Sequence, residues 1–142
     1  MRSLELFNCL PLTLPNEEAR AMATKSNQNQ VDLFFHYQSL LHKATVSQGL
    51  EALSPDHLAL LVLIGHHWHD GEAMSVRQLM QMRDVASPAT IHKRLHQLKD
   101  ADLVSFEESA TDTRKRMIAP TKRALAYFSA ASKAMMQAVK AV

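Results

Sequence analysis

The sequence predicts a mainly helical α+β fold built around one small β-hairpin. Three observations carry this reading. Apolar residues recur at helical spacing through most of the chain, with only three glycines and no long alternating run. Ser75 and Ser87 each stand where a helix N-cap belongs, before Val76, Leu79 and Met80 in one case and Pro88, Ile91, Leu95 and Leu98 in the other. Two short strand-forming runs then follow, Leu103 to Phe106 and Arg114 to Ala119, separated by the polar stretch Glu107 to Thr113. Two short helices joined by Asp84 to Ala86, the second presenting Thr90, His92, Lys93, Arg94, His96 and Gln97, describe a helix-turn-helix. With a hairpin whose return strand is basic, the pattern is a winged helix-turn-helix with a small β-hairpin wing. The alternative is a plain α+β core carrying a solvated charge run.

The other elements follow in order. Residues 1–15 hold two prolines and no clean period and read as an extension, free or laid on a partner subunit. Asn16 is placed to cap a short helix to Met22, with Glu17 and Glu18 suited to its dipole. Thr24 to Gln30 is polar, either a linker or the wet first turns of the next helix. From Gln30 to Ser47, Leu33, Tyr37, Leu40 and Ala44 form a helical stripe that Phe34 and Leu41 widen, and Gly49 stops it. Ser54-Pro55-Asp56 opens a helix that is apolar almost all round and is expected to be buried and central; Asp70-Gly71 ends it. Thr121 caps a last helix to about Lys140. There Leu125, Phe128, Ser132, Met135 and Val139 repeat at heptad spacing, and the stripe outruns any contact with the wing. That predicts a dimer contact. The organisation expected is an extension at 1–29, a dimerisation helix at 30–53, a winged helix-turn-helix at 54–120 and a C-terminal dimerisation helix at 121–142.

Charge points to a partner. The whole chain carries only +2, but residues 87–123 hold eight Lys/Arg against five acids, whereas residues 31–86 hold three against six. Positive charge gathered on the helix-turn-helix and wing is the footprint of nucleic-acid binding. Cys9 is the single cysteine, so no intrachain disulfide forms, which fits a cytoplasmic location. No run reaches the ~20 apolar residues of a membrane span, and the N-terminal stretch lacks a signal-peptide cleavage site, so no membrane partner is expected. There is no nucleophile–base motif, glycine-rich phosphate loop or paired-carboxylate pattern, so the chain reads as a non-enzyme without a cofactor. His66-His67-Trp68-His69-Asp70 offers i, i+3 and i, i+4 spacing for a metal, but no second cluster completes a site, and a solvated polar helix end is the preferred reading. Cys9 as a redox sensor lacks a nearby cation other than Arg2.

These residues resemble the MarR family of bacterial transcriptional regulators. The likeness rests on Leu53-Ser54, on Ser87-Pro88-Ala89-Thr90-Ile91-His92 with Leu95 and Leu98, on Leu103-Val104, on Asp112-Thr113-Arg114 as the D-x-R of the wing, and on Pro120-Thr121. It spans about residues 31–135. Departures are a longer turn between Leu79 and Ser87, Asp102 where a left-handed glycine is usual, Pro120 and Ala124 for a usual Leu and Gly, and no room for a further C-terminal helix. The resemblance implies a homodimeric, cytoplasmic regulator of double-stranded DNA, more often a repressor. Ser87, Ala89, Thr90, His92 and Lys93 would face the major groove. Lys93 and Arg94 suit phosphate contacts, Arg114 suits minor-groove insertion with Asp112 orienting it or the loop, and Arg116 flanks it. It further implies a small-molecule effector between the dimer helices and the winged domain, for which Phe34, Tyr37 and Trp68 are candidate lining. The other function class is a winged helix used for protein interaction or dimerisation without DNA.

Overall fold

The computed structural model describes residues 17–141. It places α1 at Glu17–Ser47, α2 at Pro55–His69, α3 at Val76–Met80, α4 at Pro88–Asp100, β1 at Val104–Glu108, β2 at Arg116–Pro120 and α5 at Lys122–Lys140. The expected extension at 1–15, the Asn16 cap and Cys9 lie outside the described residues. Of the two readings of Thr24 to Gln30, the structure takes the helical one, because α1 runs unbroken through it. Thr24, Lys25 and residues 27–32 are all exposed, and Gln28 donates to the Asp32 carboxylate one turn on at 3.1 Å. A helical segment that buries no face needs no apolar period, so none was written there.

The core lies where α2, α3, α4 and the hairpin meet. Leu60, Leu61 and Ile64 of α2, Leu79 of α3, Ile91, Leu95 and Leu98 of α4, and Leu103, Val104 and Ile118 of the hairpin form one buried cluster. Leu50, Ala124 and Tyr127 join it to the helical pair of α1 and α5. At ~1.5–3 kcal/mol for each large apolar side chain fully removed from water, this cluster is the main force holding the helix-turn-helix together. Leu58 and Leu63 of α2 are only half-buried, and Val62 and Trp68 are exposed. The helix is therefore covered on one side, not all round.

Capping follows the sequence closely. Ser75 accepts from the Gln78 amide while the Gln78 side chain accepts from the Ser75 amide, a complete capping box. Ser87 accepts from the Thr90 amide with Pro88 at the first helical position, and Thr121 accepts from the Ala124 amide. Asp102 adopts φ +58, the left-handed position after α4. The Asp102 amide bonds the Lys99 carbonyl and the Leu103 amide bonds the Leu98 carbonyl, turning the chain into β1.

The strands are antiparallel, with Val104 opposite Pro120, Phe106 opposite Ile118 and Glu108 opposite Arg116. Met74–Ser75 lies along the other edge of β2, since the Ile118 amide bonds the Met74 carbonyl at 2.9 Å. The hairpin differs from expectation in its tip. β1 continues to Glu108 and β2 starts only at Arg116, which leaves Arg114 and Lys115 in the turn. Turn chemistry holds them there: the Ser109 amide bonds the Lys115 carbonyl, and the Lys115 amide bonds the Asp112 carbonyl. Among the described residues no helix is long and apolar enough to cross a membrane.

α5 is the last element, and its predicted stripe faces the wrong way for an internal contact. The buried positions are Ala124, Tyr127, Ala134 and Ala138, and the small alanines suit the close packing of α5 with α1. Leu125, Ser132, Met135 and Val139 of the heptad stripe are exposed instead, and Phe128 is half-buried.

Candidate nucleic-acid interface

The first turn of α4 is open to solvent. Pro88, Ala89, His92 and Lys93 are exposed together with Ser87, while Thr90 is half-buried. The Ser87 and Thr90 hydroxyls lie 2.8 Å apart, and the same Ser87 oxygen accepts from the Thr90 amide. Thr90 is thus held in one rotamer by the cap. One hydroxyl proton of the pair is used between them, which leaves the other hydroxyl proton for a further acceptor. Ile91, Leu95 and Leu98, all buried, anchor the opposite face of α4.

Beside this turn runs a cleft of about 950 Å³ between α3 and the wing. Its walls include Arg77 and Arg83 from the α3 side and Arg114, Lys115 and Arg116 from the wing. Five cations around one groove make a strongly positive channel with Pro88 at its edge. Arg77 and Arg83 are the contributors that sequence reasoning missed. Their signal was present in the positions themselves. Arg77 is an exposed position of α3, two residues before the buried Leu79, and Arg83 sits in the connection before Ser87.

Asp112 does not pair with the Arg114 guanidinium. Its carboxylate accepts from the Arg114 backbone amide at 3.0 Å, so it shapes the turn and leaves the side chain of Arg114 exposed at the tip. Arg94, in contrast, is committed within the chain. Its Nη2 donates to the Asp56 carboxylate at 2.6 Å, tying the middle of α4 to the first turn of α2. Arg123 is committed too: its guanidinium donates to the carbonyls of Ala101, Gln48 and Gly49 at 2.6, 3.1 and 3.4 Å. Two of the eight basic residues counted at 87–123 are therefore structural.

The three candidate effector residues are not brought together. Trp68 lines a second, mostly apolar cleft of about 350 Å³ with Val62, Gly65, His66, His69, Leu125 and Phe128. Phe34 and Tyr37 do not line it; Phe34 is exposed on α1 and meets Phe35 edge-to-face, with ring centres 5.4 Å apart. At the end of α2 the Asp70 carboxylate lies 3.4 Å from both His66 and His69. Among the described residues no three His, Cys, Asp or Glu side chains converge on one point as metal ligands would.

The fold is shared with solved structures. A mutant of MepR from S. aureus bound to an oligodeoxyribonucleotide has 13% identity and a TM-score of 0.54 over 87% of this chain and 80% of that one. The YusO protein from Bacillus subtilis has 16% identity and a TM-score of 0.56 over 87% and 81%. The transcriptional regulator Tm0710 from Thermotoga maritima has 9% identity and a TM-score of 0.57 over 82% and 77%. No protein-family model matches the sequence, and no curated protein matches it. These likenesses show a shared winged helix fold.

Proposed function

We propose that the protein is a homodimeric regulator that binds double-stranded DNA through α4 and the wing. One observation carries this reading: the exposed first turn of α4 stands beside a groove walled by Arg77, Arg83, Arg114, Lys115 and Arg116. A duplex whose major groove takes the first turn of α4 brings its phosphates into that groove. Ser87, Ala89, Thr90 and His92 are then the base-facing group, with Ala89 small enough to pack against a thymine methyl. Lys93, Arg77, Arg83 and Arg116 hold phosphates. Arg114, freed by the role of Asp112 in the turn, reaches the minor groove. Arg94 is reassigned from phosphate contact to bracing α4 on α2.

The dimer is supported by the unused stripe of α5. Met135, Met136 and Val139 are 55%, 56% and 62% exposed, and Phe34 and Phe35 on α1 are 54% and 65% exposed. Apolar residues of this size at that exposure, on two helices that pack together, suit a second copy. The cleft lined by Trp68 lies between α2 and the start of α5 and is the place for a small-molecule effector, with Trp68 retained from the expected set. Repression, relieved by that effector, is the regulatory sense that the resemblance favours.

The test is a selection of duplexes from a random pool, joined to sedimentation. The expected result is an enriched, roughly palindromic site with half-sites about one helical turn, ~34 Å, apart, bound by a dimer. Arg114→Ala is expected to weaken binding to many sequences and to flatten the salt dependence, because fewer counterions are released. A strict monomer at micromolar concentration, or a pool without an enriched palindrome, refutes the reading. The protein-interaction alternative predicts that second outcome.

A further inference from the structure

We propose that His92 and His96 form a two-point site for a divalent transition-metal ion, and that filling it takes the outer face of α4 out of use for DNA. The two residues are one turn apart on α4, so their side chains rise from the same face, and both are exposed. Their rings lean together at one edge: the ring centres are 4.3 Å apart, but the two Nε2 atoms are only 3.0 Å apart. That separation has two chemical meanings. Without a metal, one Nε2–H donates to the other Nε2, so the two nitrogens share a single proton. With a metal, both Nε2 lone pairs point at one ion and the donor ring carries its proton on Nδ1 instead, so a neutral pair binds without losing a proton.

The distance suits direct coordination of one ion by both rings. Two imidazole nitrogens at ~2.0–2.1 Å from one ion and at right angles are about 2.9 Å apart; at the tetrahedral angle they are roughly 3.4 Å apart. The observed 3.0 Å fits adjacent positions of a square-planar or octahedral ion. Imidazole donors in that geometry favour Ni²⁺ or Cu²⁺ over tetrahedral Zn²⁺. The second ring is already oriented. His96 meets the ring of Phe106 edge-on at 6.0 Å and 89°, and the Lys99 ammonium lies 4.7 Å over the same Phe106 ring. Since no third such ligand converges among the described residues, water completes the coordination.

The second half of the proposal rests on the DNA-binding reading. His92 is one turn after the N-cap, beside Ala89 and Lys93. A hydrated ion held there ties His92 to His96 in the place they already occupy and fills the space a base edge needs.

The experiment titrates the untagged full chain with NiCl₂ by calorimetry, with no DNA present. One saturable event per chain is expected, lost in His92→Gln and in His96→Gln and kept in a His66→Gln/His69→Gln variant. Circular dichroism verifies that each variant keeps its helix content, and Cu²⁺ added to the same proteins reads nitrogen ligation by electron paramagnetic resonance. No saturable binding, binding that survives both α4 variants, or binding lost with His66 and His69 overturns the site. On a selected duplex, Ni²⁺ is expected to weaken binding by the wild type and leave His96→Gln unaffected. Unchanged or tighter wild-type binding overturns the regulatory half. If no duplex binds even without metal, the DNA-binding reading fails while the calorimetry still decides the site.

Discussion

Arg123 offers the sharpest stability test, because one side chain ties three chain segments. Its guanidinium reaches the Ala101 carbonyl at the end of α4 and the Gln48 and Gly49 carbonyls just after α1. Helix ends leave carbonyls without intrahelical partners, and here a single cation serves two of them. Arg123→Met keeps much of the stem and removes every donor. The bonds at 2.6 and 3.1 Å are charge-assisted and half-buried; the third, at 3.4 Å, is near the limit and counts for little. Hydrogen bonds to charged groups are worth ~1.5–3 kcal/mol each, but water replaces part of that at a half-exposed helix end, so the expected loss is about 2–3 kcal/mol. For a chain of this size that lowers the melting temperature by roughly 5–10 °C. Urea unfolding followed by circular dichroism should show a lower midpoint with an unchanged slope. Arg123→Lys should recover less than half, since one ammonium does not span carbonyls on both helix ends. Wild-type stability within about 0.5 kcal/mol in Arg123→Met would refute the reasoning, and would mean that water satisfies these carbonyls as well as the guanidinium does.

Three further outcomes are expected. Gly65→Ala puts a Cβ 2.7 and 2.8 Å from two carbons of the Phe128 ring; the ring must move, at a net cost of about 1–2 kcal/mol after the helix gain of alanine. Phe128→Leu in that background should restore much of the loss in a thermal melt. Asp102→Gly relieves the φ of +58 and should raise stability by up to about 1 kcal/mol, whereas Asp102→Val should lower it, both read from urea midpoints. Thr90→Val keeps the side-chain shape but removes its hydroxyl; if Thr90 reads a base, the preferred duplex is bound ~1–3 kcal/mol more weakly and preference relaxes at one position of the site. Affinity lost equally on scrambled duplexes would instead assign Thr90 to the Ser87 cap alone.

Much of the fold was legible because its signals are local. A Ser or Thr before an apolar helical period names a cap within four residues, and Ser75, Ser87 and Thr121 all behave so. Ser54 marks the limit of that inference. It sits at the start of α2 before Pro55, yet its hydroxyl lies 2.6 Å from His57 Nδ1 and makes no side-chain cap bond. The left-handed Asp102 was visible as a departure from a motif. The strand ends were not, because Glu107 and Glu108 are poor strand formers that pair only when Met117 and Arg116 arrive opposite them.

What the sequence could not tell is which charges are spent inside the molecule. Arg94 and Lys93 are neighbours and look alike in composition. Their difference arises from the helical turn, which points Lys93 outward and sends Arg94 to Asp56, 38 residues earlier. Arg123 meets partners 22 and 75 residues away. Counting charge over a window therefore overstates the cations available on α4 and at the start of α5. It also misses Arg77 and Arg83, which lie outside the window but inside the groove. The positive surface is consequently displaced toward α3 and the wing tip. Removing Arg83 should on this reading flatten the salt dependence of duplex binding as Arg114→Ala does, while Arg94→Met should act on stability first. Equal salt slopes for wild type and Arg83→Ala would return the proposed phosphate contact to α4 itself.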